Sequence, residues 1–82
     1  MEVTTTGECG MFHWAACDIT EYNTVEVRHN LEPAQCQEAC LLTAECHVFT
    51  WHPSIANRGV CFLLTHCDSF QTCPYCISGN SV

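Results

Sequence analysis

Eighty-two residues make one domain, close to the size at which a hydrophobic core alone is marginal, and nine of them are cysteine, a density that marks a disulfide scaffold held in an oxidising compartment. The chain has no lysine, and Arg28 and Arg58 stand against nine acids for a net charge of −7, which repels phosphate backbones and sulfated glycans and excludes nucleic acid as a partner. No apolar run approaches the length of a membrane span, so membrane insertion is not expected.

Residues 1–8 are polar and acidic and read as a flexible tail, with the folded domain at 9–82. They lack the basic n-region and apolar h-region of a signal peptide, so a secreted reading places the leader outside this chain. Met11 to Ile19, MFHWAACDI, is apolar and aromatic and predicts a strand. Tyr22 to Arg28 alternates, with Tyr22, Thr24, Glu26 and Arg28 on one side and Asn23, Val25 and Val27 on the other. That is a half-buried strand near a sheet edge. Pro33 suits the first turn of a helix running from about residue 32 to Thr43, capped by either Glu32 or Asn30. The helix places Cys36, Ala39, Cys40 and Thr43 on one stripe.

Cys46 to His52 is the clearest strand, with Cys46, Val48, Thr50 and His52 pointing one way and His47, Phe49 and Trp51 the other. Pro53 to Gly59 is a turn, and Val60 to Thr65 is the next strand, so the two strands form a hairpin. Beyond it, Cys67, Cys73 and Cys76 sit among Pro74 and Gly79 with little periodicity. This segment reads as a loop pinned by disulfides, with room for one short strand.

The set Cys36-Gln37-x-x-Cys40, then Cys46, Phe49-Thr50-Trp51 and Cys61-x-Leu63 resembles the PAN/apple family over residues 17 to 65. The segment Cys67-x5-Cys73-x2-Cys76-x-Ser78-Gly79 looks like the tail of an invertebrate, cysteine-rich subgroup. The resemblance implies a small disulfide-rich α+β module in which a curled antiparallel sheet cradles one helix. It implies bridges Cys36–Cys61 and Cys40–Cys46, and a further link from Cys9 or Cys17 to one of Cys67, Cys73 and Cys76. Nine cysteines leave one over, expected to be Cys9 or one of the tail cysteines. The family implies a secreted, non-enzymatic module for binding and adhesion, recognising an extracellular protein or glycan. A self-associating structural subunit of a matrix or filament is the alternative.

Three chemistries are set aside. Cys73-Pro74-Tyr75-Cys76 matches the redox motif of glutaredoxins, but that chemistry needs a helix after the second cysteine, and only six residues follow Cys76. Zinc could use Cys73 and Cys76 with Cys67 and His66, or with His47 and His52. A zinc module shows two clean ligand pairs, however, and the other cysteines already fit a disulfide framework, so neither a metal nor another cofactor is expected. Hydrolase readings need a base and an orienter in a cleft, for which so short and stapled a chain has little interior. The aromatic residues remain. Phe49 reads as core, whereas Trp14 and Trp51 are the candidate ligand contacts, because tryptophan is enriched at binding surfaces as well as in cores.

Overall fold

The computed structural model describes residues 11–80, with side chains from Trp14 onward. The tail read over residues 1–8, and Cys9, lie outside the described residues. Five strands and one helix follow in the order β1 (Met11–Cys17), β2 (Thr24–His29), α1 (Pro33–Leu42), β3 (Val48–His52), β4 (Val60–Leu64) and β5 (Phe70–Asn80). All strand pairs are antiparallel, in the spatial order β1-β5-β3-β4-β2, so β2 is an edge strand as its alternation predicts.

The helix begins where proline can stand without a missing hydrogen bond. Glu32 is the N-cap, and its N–H donates to Gln35 Oε1 at 2.8 Å. Asn30 takes the other role open to it. It adopts the left-handed backbone (φ 64°), its N–H donates to Gly59 O, and its Oδ1 accepts from the Arg58 N–H. It thereby binds the β3–β4 turn to the helix entrance rather than capping the helix.

One face of the sheet carries the helix. Phe49, Cys61 and Leu63 pack against Cys36, Ala39, Cys40 and Cys46, all buried. The bridges Cys36–Cys61 and Cys40–Cys46 lie inside this cluster, so the helix is linked covalently to β4 and to the chain entering β3. Trp51 closes one side of the core. Its indole N–H donates to Leu31 O at 2.6 Å, and its ring lies where a Cβ on Gly59 would stand. A side chain at Gly59, which has φ 146°, would displace the tryptophan.

The opposite face is partly polar. The Cys17 N–H donates to Thr50 Oγ1 (2.9 Å), and Ser78 Oγ donates to Ala15 O (2.9 Å). The Ser78 proton is thus committed, so in the 2.8 Å contact between the two hydroxyls Thr50 is the donor. This directed chain satisfies two buried hydroxyls and carries β1 across to β3. Cys17 is also joined to Cys67. Nearby, the buried amide of Asn23 donates to Asp18 O and His66 O and accepts from the Thr20 N–H.

The structure corrects one element. Residues 67–80, read as a pinned loop, contain the longest strand, β5, which lies between β1 and β3. Pro74 and Gly79 suggested breaks, yet neither breaks it. Pro74 falls in a bulge, where no ladder hydrogen bond is required of it. Gly79 is paired with Phe49, and Ser78 with Thr50, so small side chains in the interior hide the alternation.

Candidate functional site

The site forms where the β1–β5 ladder breaks. His13 pairs with Ile77 and Ala15 with Thr72, so Trp14 alone faces the four residues Cys73, Pro74, Tyr75 and Cys76. An excess on one strand must leave the sheet plane and bend the ribbon. Cys73 and Cys76 are joined, which closes the bulge at its base. The same bend lets the Ala15–Cys17 end of β1 reach Thr50 and Ser78 across the sheet.

Both aromatic residues of the bulge hold the left-handed backbone, Trp14 at φ 68° and Tyr75 at φ 71°. For a bulky residue that conformation costs roughly 1–2 kcal/mol. No core burial offsets it, since Trp14 is 58% and Tyr75 70% exposed. The rings lie against each other instead, with centroids 5.5 Å apart and planes tilted by 39°. Strained, exposed residues of this kind make the pair a candidate contact surface.

Around the pair runs an open depression of about 540 Å³, lined by Trp14, Trp51, Pro53, Tyr75, Cys76 and Ile77. Among the described residues, no charged side chain lines it. The candidate contacts Trp14 and Trp51 thus border one cavity, in different ways. Trp14 stands out from the sheet, whereas Trp51 is half-buried and fixed by its bond to Leu31. Tyr75, more exposed than Trp14 and lining the same depression, is not among the contacts that the sequence reading singles out. Its signal was available: an aromatic residue after proline, between two cysteines too close for it to turn inward.

His52 lies behind the bulge. Continuing the pairing of Trp51 with Ile77 by one residue sets His52 opposite Cys76, and its Nδ1 is 3.2 Å from Cys76 Sγ. Phe62 stands edge-on to the imidazole (5.4 Å, 84°), and burial lowers the histidine's pKa from its ordinary value. The remaining ionic features lie away from the site. Arg28 and Glu26 form a 3.0 Å pair on the exposed edge strand, and His66 lies 3.5 Å from Asp68. Of the sequence-level zinc ligands, Cys67 is taken by Cys17, while His52, Cys73 and Cys76 come together.

A helix cross-linked to a curled antiparallel sheet, with exposed aromatics on a closed bulge, defines a small disulfide-rich α+β module. The PAN domain model matches residues 17–75, well over half of the chain, and the chain belongs to that family. PAN domains are non-enzymatic modules of protein or carbohydrate recognition and adhesion. No curated protein and no solved structure is significantly similar to the chain. Trp14, Cys76 and Ile77 fall outside the matched segment, so part of the aromatic depression lies beyond what the family pattern covers.

Proposed function

We propose that this PAN domain is an extracellular binding module that takes an apolar side chain of a partner protein into the depression between Trp14, Tyr75 and Trp51. Its disulfides suit it to an oxidising compartment. The observation that carries the reading is the lining by described residues, which is aromatic, proline, cystine and aliphatic, with no charged group among them. Sugar recognition also uses aromatic platforms, but a hydroxyl-rich ligand must have its hydroxyls bonded when it leaves water. The lining offers few partners for that. An apolar anchor in a desolvated aromatic pocket is the usual centre of a protein interface.

The test is selection of a displayed random-peptide library on the intact domain, with a glycan array alongside and sedimentation of the free protein. Peptides sharing an apolar or aromatic anchor should be enriched, and Trp14→Ala and Tyr75→Ala should each weaken their binding at least tenfold. Glycan binding lost in the same variants would replace the protein partner with a sugar. Self-association lost on Trp14→Ala would make a second copy the occupant and favour the matrix-subunit reading. Peptide binding unaffected by either substitution would refute this use of the depression.

A further inference from the structure

Cys73 and Cys76 serve the fold less than the other paired cysteines. Cys17–Cys67 and Cys36–Cys61 close 50 and 25 residues, whereas Cys73–Cys76 closes three. Constraint of the unfolded chain grows with loop length, so this bridge constrains it least. It lies wholly within one bulge and joins no two elements of the fold. Cys73 is only half-buried and can be reached by a small reductant.

The register of β3 against β5 supplies a third group. The two sulfurs and one ring nitrogen of His52 lie within 4.8 Å of one another. His52 is the last residue of β3, and Phe62 holds its ring edge-on, so its direction is set by the sheet rather than by a mobile loop. His52 and Cys73 also line a separate open depression of about 280 Å³ on the side of Asp18 and Thr72. That depression gives an access path and space for one more ligand.

We propose that the reduced Cys73–Cys76 pair and His52 bind one thiophilic d10 cation, zinc(II) being the commonest, through two thiolates and one imidazole nitrogen. A monothiol opens the bridge: two thiol equivalents give up two electrons and two protons to the disulfide and leave joined as their own disulfide. The cation then displaces the two cysteine thiol protons to solvent. A tetrahedral zinc(II) site sets its ligand atoms roughly 3.5–3.8 Å apart, so the sulfurs need only separate within the bulge. Two thiolates and one imidazole leave the fourth position to water or an outside ligand. The oxidised domain has no such site, so cation binding reports the redox state of the bulge.

The experiment uses the intact domain, treated with a limited amount of reductant and mapped by differential alkylation. Zinc(II) is titrated against a chromophoric chelator, and cobalt(II) serves as the spectroscopic probe. The expected result is that Cys73 and Cys76 are alkylated before Cys36 and Cys61, and that one equivalent of zinc(II) then binds. Cobalt(II) should show tetrahedral ligand-field bands with sulfur charge transfer. His52→Ala should weaken binding at least tenfold, and Cys73→Ser should abolish it while the far-ultraviolet spectrum stays native. Equal binding by the oxidised domain, or by His52→Ala, would overturn the proposal. So would opening of Cys36–Cys61 first, because the site could then form only in an unfolding chain.

Discussion

Around α1, β3 and β4 the cross-links join different elements and lie buried beside Phe49 and Leu63. In the β1–β5 ribbon the bridge within the strand spans three residues, and the largest aromatic side chains face solvent in a strained backbone. A domain this small has little stability to spare. The difference suggests a division of labour: buried cross-links concentrate on the helix-bearing side, and on the proposed reading the bulge presents a surface for contact.

The sharpest way to break this comparison is to cut the frame. Removing Cys36 and Cys61 together by alanine releases a 25-residue loop constraint, about 3.5 kcal/mol by loop closure, with lost packing added. The double variant should have no cooperative melting transition near body temperature when followed by circular dichroism. Native-like melting would show that the helix needs no such link.

The next effect lies at the join between the regions. Thr50→Val removes the hydroxyl that accepts from Cys17 and donates to Ser78, leaving a buried N–H without its acceptor. A loss of about 2 kcal/mol is expected in urea unfolding, with faster amide exchange at Cys17. An unchanged midpoint would mean that the β3–β5 ladder and the Cys17–Cys67 bridge hold the ribbon without this hydroxyl chain. Removal of Cys73 and Cys76 by alanine should cost at most about 2 kcal/mol by the same loop-closure rule. The variant should keep its helix and sheet, and a cost equal to that of the frame bridge would erase the distinction between the regions. The smallest effect on stability, with the largest on binding, belongs to Trp14→Ala: a midpoint change of about 0.5 kcal/mol or less, against loss of the selected peptides.

The same division governs what the sequence made legible. Helix and hairpin are local, and their signals are strong: cysteines one turn apart, proline at the first turn, and alternation through Phe49 and Trp51. The helix position, the hairpin and the edge strand β2 were therefore readable, and the family resemblance implied the curled sheet around them. The bulge depends on long-range pairing. Nothing near Cys73-Pro74-Tyr75-Cys76 says that one residue, Trp14, will stand opposite all four, or that His52 will face Cys76. Small interior residues, Ser78 and Gly79, concealed the last strand because the bulk they lack is supplied across the ladder by Phe49 and Thr50. Trp14 could be picked out as a candidate contact by its chemistry, while its position beside Tyr75 needed the register.

The most direct test of the central claim, that the bulge aromatics serve contact and not folding, is the urea stability of Trp14→Gly/Tyr75→Gly. Glycine takes the left-handed backbone at both positions without strain, and relief of about 1 kcal/mol per site offsets the added chain entropy and the lost ring contact. The account predicts a double variant within about 1 kcal/mol of the parent, with an unchanged denaturant slope. A loss of more than about 2 kcal/mol would contradict it, because the two rings would then be part of the frame.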